Sequence, residues 1–329
     1  MKTARTPFAA PSLVLASALG TVIFAPAAQA TGVAAGTVIQ NTATATYTAG
    51  TTTASVNSNT VSVKVDELIN VAVAGLTTTP AAASSAPAVL IYSVTNTGNG
   101  NEAFNLTADP NVSGNAFNSN VVSLVVDSNG NGTYDPGVDT VIANGSAGPV
   151  LAPDASVKVF VLAGLPGSAT DGQTSNVKLT AASVTGTGAP GTLLAGRGDG
   201  GVDAVIGTST ASQFAQDPLI ASLAQVTLTK SATILDPFGG TTPVPGSVVT
   251  YSLVAHVAGS GTANNLHVTD AIPTGTTYQA GTLTLGGSPL TDAADTDAGS
   301  AGASGVDVAL GNIAGGSPDK TVTFKVKIN

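Results

Sequence analysis

Strand-length runs of Val, Thr, Ala and Ile, broken every few residues by Gly, Asn or Pro, recur along almost the whole chain and constrain its fold more than any other feature. In the run SNTVSVKVD, Val61, Val63 and Val65 alternate with Thr60, Ser62 and Lys64. In SVVTYSLVAHVAG, Val249, Tyr251, Leu253, Ala255 and Val257 share one face and His256 points the other way. A period of two is that of a strand with one face covered and the other wet. Charged residues are only 9% of the chain, so helices with charged outer faces are scarcely available, whereas β-branched side chains favour strands. The expected fold class is all-β, with sheets stacked as sandwiches.

The first 30 residues read as a secretory signal peptide: Lys2 and Arg5, an apolar stretch from Leu13 to Phe24, then Ala28-Gln29-Ala30, with cleavage expected before Thr31. No later apolar run is long enough to span a bilayer, so the mature chain is expected to be soluble and without a transmembrane segment. Loss of Lys2 and Arg5 leaves 8 basic against 19 acidic side chains, and the formal charge moves from -9 to -11. Such a chain repels phosphate backbones, which argues against nucleic acid as a partner and suits metal cations. With no cysteine, packing, ladder hydrogen bonds, metal or another crosslink must hold an exported protein together.

The mature chain divides into an N-terminal β-strand segment (31–66), a sandwich (67–215), a linker (216–224) and a second sandwich (225–329). The first segment reads as two or three strands, too small to be stable alone, that must pack on the adjoining sandwich or on a neighbouring molecule. The first sandwich has strand candidates at INVAVAG, AVLIYSVTN, EAFNLTA, NVVSLVVD, ASVKVFVLAG and SNVKLTAASV, and 186–217 reads as long loops and linker. The second has them at VTLTKSA, SVVTYSLVAHVAG, NNLHVTD, TTYQAGTLTLGG, GVDVALGN and KTVTFKVKIN.

The two sandwiches read as distant copies. Tyr92-Ser93-Val94 is followed by a Gly-x-Gly turn, Asn105-Leu106 and Asp109-Pro110; Tyr251-Ser252-Leu253 is followed by Gly259-Ser260-Gly261, Asn265-Leu266 and Asp270-Ala271-Ile272-Pro273. Over the last third of the chain, the Lys of LTKSA, the PGSVVTY strand and VTDAIPTGTTY resemble the conserved-repeat domain of unknown function number eleven, common in bacterial and archaeal surface proteins. The resemblance implies tandem immunoglobulin-like β-sandwich domains, an extracellular setting and no catalytic residues.

Asp127-Ser128-Asn129-Gly130-Asn131-Gly132-Thr133-Tyr134-Asp135 matches a calcium loop over nine positions. Asp127, Asn129, Asn131, the Thr133 carbonyl and Asp135 supply hard oxygens, and Gly132 at position six allows the sharp turn. Position twelve is Val138, so an EF-hand is excluded and Asp139 closes a β-hairpin version of the loop. The plainer reading is an Asn-Gly turn in which these side chains cap the backbone. A second constellation, Lys230, Asp270 and Asn329, could form an intramolecular Lys-to-Asn amide beside an acid, or only a Lys230–Asp270 ion pair. His256 and His267 lie on outward strand faces, and no nucleophile, base and orienting group fall into one pattern, so no enzyme is expected. Gly196-Arg197-Gly198-Asp199 is loop.

The expected function is that of a non-enzymatic, secreted or cell-surface structural or adhesive protein. Its partners are itself or other envelope and extracellular-matrix components, with structural Ca2+ as cofactor and fibre formation through the N-terminal strands. The alternative is a secreted binding module for polysaccharide or another envelope component, which the absence of Trp makes less favourable.

Overall fold

The computed structural model describes residues 32–49 and 51–329; the expected signal peptide and its expected cleavage point lie outside the described residues. The fold is all-β, with several open sheets and, among the described residues, no closed barrel. No helix among the described residues is long and apolar enough to cross a membrane.

The described residues open with a two-stranded ribbon. β1 (Val38–Asn41) pairs antiparallel with β4 (Val61–Lys64), and β2 (Thr44–Ala49) with β3 (Thr52–Asn57). Thr42 and Ala43 face Ser58–Thr60 across a bulge on the second strand, closed by Ser58 N–H to Ala43 O at 2.8 Å and by the Thr42 and Thr60 hydroxyls at 2.7 Å. Directly opposed residues share a side, so Ile39 lies beside Val63, Ala45 beside Val56 and Tyr47 beside Ala54. Ile39, Ala45 and Tyr47 keep the alternation of one strand, and both halves of the ribbon therefore show the same apolar side. Tyr47, Val56, Val61 and Val63 on it are all about half exposed among the described residues, and Ile39, also about half exposed, borders a cavity with Val33, Val65 and Leu68 at the ribbon's base.

The base of the ribbon is held on the first sandwich by Ala35 N–H to Asn99 O at 3.0 Å and by Lys64 Nζ to Gly200 O at 3.0 Å. That sandwich uses β5 (Glu67–Ile69), β6 (Val71–Gly75), β7 (Ala81–Ala83), β8 (Ala88–Asn96), β9 (Phe104–Asp109), β10 (Asn120–Val126), β11 (Thr140–Ile142) and β12 (Ser156–Gly164). It continues through β13 (Thr174–Ser183), β14 (Leu193–Leu194), β15 (Ala204–Ile206) and β16 (Ser212–Ala221). A sheet ordered β11-β10-β12-β8-β6 stacks on one ordered β7-β16-β13-β9, while β14-β15-β5 forms a small side sheet over Ile69, Ala204 and Ile206. Alternate residues of β8 (Leu90, Tyr92, Val94) meet Leu106, Val177, Leu179 and Leu219 in the core. The Tyr92 hydroxyl crosses between the sheets and donates to Val177 O at 2.7 Å, so the buried phenol is not left unpaired.

The fold corrects one expectation. The stretch 186–217, read as loops and linker, contains β14, β15 and most of β16, and the first sandwich extends through Ala221. Leu219 and Ala221 are fully buried in its core, so 216–224 is largely strand. The signal was obscured by Asp217-Pro218, which interrupts the apolar pattern. Asp217 is buried where its Oδ2 accepts the Thr77 amide at 3.1 Å, and Gly75 passes so close that a Cβ there would meet its Oδ1.

Burial also lifts the Glu67 carboxyl above its ordinary value of 4.5, helped by the Glu102 and Asp199 carboxylates and opposed by the hydrogen bond from the Asp199 amide. Glu102 Oε2 is buried beside it with no hydrogen-bonding partner among the described residues. A carboxyl whose folded pKa is raised favours folding below its unfolded value and loses that contribution as pH rises through its folded value. Glu67→Gln keeps an oxygen for the Asp199 amide and removes the charge. The variant is expected to melt higher than the parent at pH 8 and to converge with it at pH 4, by thermal scans; an unchanged difference across that range would remove Glu67 as the cause.

The second sandwich begins after only Ser222 and Leu223. At this junction Asp171 accepts hydrogen bonds from the Leu223 amide at 2.8 Å, the Ser260 amide at 3.0 Å and the Ser260 hydroxyl at 2.6 Å. Its strands are β17 (Ala224–Leu235), β18 (Val248–Gly259), β19 (Thr262–Ala271), β20 (Thr276–Tyr278), β21 (Thr284–Leu285), β22 (Ser288–Pro289), β23 (Gly299–Ala301), β24 (Gly305–Ala314) and β25 (Lys320–Ile328). A sheet ordered β17-β18-β25-β21-β22, with β20 also on β25, stacks on the three strands β19-β24-β23. Phe324, Val322 and Val326 pack with Leu253, Val268, Leu283 and Val308 between them.

Candidate functional site: an uncovered seam and an acidic turn

The second sandwich is incomplete on one side. β17 is 12 residues long and pairs with β18 over its whole length, with Val226 opposite Val257, Leu228 opposite Ala255 and Ile234 opposite Val249. Those β18 residues are buried, so Val226, Leu228, Lys230, Ala232 and Ile234 form the inward side of β17. Ile234 reaches the core, yet Val226 is 42% and Leu228 51% exposed. In the first sandwich the comparable first strand of the sheet, β6, lies against β16 and buries Val71; here the opposite sheet stops at β19, which is itself an edge.

The opening left between the β17 and β19 edges is a seam tied by one charge pair. Lys230 Nζ stands 2.6 Å from Asp270 Oδ2 and 4.3 Å from the centre of the Tyr251 ring. Asn329, the third member of the expected crosslink set, is not there. Lys230 is level with Leu253 and Val322, whereas Asn329 lies seven positions further along the β25 strand line, past Ile328, and its Oδ1 accepts the Thr277 hydroxyl at 2.6 Å. At about 3.3 Å per residue the separation is roughly 20 Å, too far for an amide bond. The chain brings Lys230 and Asp270 together and leaves Asn329 apart.

The acidic turn between β10 and β11 is closed by its own backbone. Asp127 accepts the Gly130 amide on Oδ1 at 2.7 Å and the Gly132 amide on Oδ2 at 2.8 Å; Asp139 accepts those of Ser128 at 3.1 Å and Asp135 at 2.8 Å. Asn129 and Asn131 donate their side-chain amides to Asp135 Oδ2 at 2.9 and 2.6 Å, which holds the Asp135 carboxyl below its ordinary value. Asn131 Oδ1 accepts the Thr133 amide at 2.8 Å. Gly130 and Gly132 take φ of 72° and 79°, the left-handed region the turn requires, and a Cβ at Gly132 would collide with Lys158 Nζ. Oxygen donors thus crowd into one turn, but an ammonium lies beside them. No group of three or more carboxylates or imidazoles among the described residues stands close enough to hold an ion.

The histidines lie on outer faces, His256 Nδ1 at 2.7 Å from Asp319 Oδ1 and His267 Nδ1 at 3.0 Å from Asp307 Oδ1. These pairings cross strands and depend on a register that sequence alone does not give. Asp270 and His267 face opposite ways, so they form no acid–base pair.

The sequence matches no family model, and no curated protein matches it.

Proposed function

We propose that this chain is a non-enzymatic, exported structural or adhesive protein of the cell surface or extracellular matrix, and that it assembles into fibres. The observation that carries this reading is the pair of uncovered apolar strand faces, one on the ribbon and one on β17, in a chain whose two cores are otherwise packed. Exposed, unpaired strand edges of this length are normally blunted or covered, because they recruit other chains. The likeness of the last third to the repeat domain number eleven and the signal-like N-terminus support the extracellular setting. Phe214 and Phe238, exposed on different sandwiches, offer no shared platform for a sugar ring, which ranks the polysaccharide reading lower. Negative-stain electron microscopy of residues 31–329 at high micromolar concentration tests the reading. Ordered filaments are expected; a monodisperse monomer under all conditions tried would remove it.

Calcium at the acidic turn belongs to the same reading, supported by the hard oxygens of Asp127, Asn129, Asn131, Thr133, Asp135 and Asp139. The ion would replace inter-donor hydrogen bonds as the clamp between β10 and β11, with the weak affinity of extracellular modules, a Kd of about 0.1–1 mM. At about 1 mM free ion, roughly 1–10 Kd, binding adds about 0.4–1.4 kcal/mol. Millimolar calcium is therefore expected to raise the melting temperature of the parent and not of Asp127→Ala. Equal melting in calcium and in chelator would leave the side chains as turn caps alone.

A further inference from the structure

We infer that the ribbon of one copy fills the seam of the next: β1–β4 continue the sheet of β19 along its free edge, and the ribbon's apolar side covers the inward side of β17. This deepens the fibre reading and rests on it. The occupant is a second copy for three reasons. First, each surface lacks what the other presents. The seam wants an apolar strand face over Val226, Leu228 and Ala232, and the ribbon shows Tyr47, Val56, Val61 and Val63, each more than half exposed, on one side. Second, the lengths agree: β1 and β2 run from Val38 to Ala49, the same 12 residues as β17, or about 40 Å of strand.

Third, charge selects this pairing from within an acidic protein. No acidic, basic or histidine side chain occurs from Val38 to Val63, while β17 carries only Lys230, already paired with Asp270. Two copies of a chain with 8 basic and 19 acidic residues after signal cleavage repel each other over most of their surfaces. The ribbon and the seam are where they can approach without that cost.

The ribbon's base is bonded to the first sandwich and the seam belongs to the second, beyond the Ser222–Leu223 connection. A ribbon that enters another copy's seam leaves its own seam open for a third. The contact is heterologous, so copies add head to tail, and an open series of them is a filament. Addition of a strand to a sheet edge supplies backbone hydrogen bonds for affinity, and the side-chain face supplies register.

The chain has no cysteine, so engineered thiols report one contact each. Val56→Cys in one preparation and Leu228→Cys in another are mixed, allowed to assemble and oxidised. A disulfide-linked species of twice the chain mass is expected, at least ten-fold above that from a control pair on the opposite faces, Thr46→Cys with Thr229→Cys. Val61→Cys and Val226→Cys test a neighbouring register in the same way. Filaments that form without any of these crosslinks, or with equal yield from the control pair, would overturn the seam as the docking site and leave the fibre reading standing. Absence of assembly by the parent chain would overturn both.

Discussion

Phe324→Ala is expected to unfold the second sandwich near room temperature while the first melts as before. Phe324 is fully buried on β25, with ring centres 5.3 Å from Tyr251 and 6.5 Å from Tyr278, in a core that also holds Val268 and Val308 of the facing sheet. Truncation of such a ring removes ~3–5 kcal/mol through lost burial and the cavity left behind. Whole domains hold about 5–15 kcal/mol, and a sandwich with one strand face open belongs at the lower end. Calorimetry of the dispersed chain should split into two transitions, only one of them displaced. The dependence on assembly adds a sharper expectation: if the ribbon of a neighbour completes this core, the variant is partly rescued in filaments, and its transition rises with protein concentration. A single transition that shifts as a whole would show that the two sandwiches unfold together, against the separation of their cores.

The second large effect is on assembly rather than stability. Tyr47→Asp with Val56→Asp sets two carboxylates on the ribbon's apolar side, where the parent residues are 53% and 55% exposed. In the dispersed chain these positions contact little, and surface changes of this kind stay within about 0.5 kcal/mol. In a filled seam the same carboxylates would lie unpaired against Leu228 and its neighbours, at a cost of several kcal/mol. Sedimentation should therefore show an unchanged melting profile and a loss of assembly of at least a hundred-fold in critical concentration. The matched control is Thr46→Asp with Thr53→Asp on the polar side, which should assemble more nearly as the parent does. Equal loss from both pairs would point to charge alone and not to the apolar face.

Much of the fold was legible because alternation survives wherever a strand has one wet face. AVLIYSVTN is β8 residue for residue, and the runs around Asn120, Ser156, Asn176, Val249 and Lys320 fall within a residue or two of their strands. β16 was hidden for a physical reason: Asp217-Pro218 sits where β16 pairs with β13 only, so a missing amide and a buried acid are accommodated there. The boundary between the sandwiches moved accordingly. At the candidate sites the spacing revealed which side chains exist but not what faces them. Lys230 and Asp270 could be placed on two strands, and their meeting depended on how the sheets stack. Asn329 was excluded by register, which a single sequence does not contain. The uncovered side of β17 has no sequence signal at all, since VTLTKSATIL alternates like any half-buried strand; only the sheet that ends at β19 leaves it open.

Amide hydrogen exchange, resolved by residue, on the dispersed chain and on its filaments tests strand filling of the seam most directly. In the dispersed chain the outward-facing amides of the ribbon, β17 and β19 should exchange fast, and in filaments those of the ribbon and β19 should slow by at least a hundred-fold while β8 and β25 stay as they were. Filaments in which the ribbon and β19 exchange as rapidly as in the dispersed chain would contradict it.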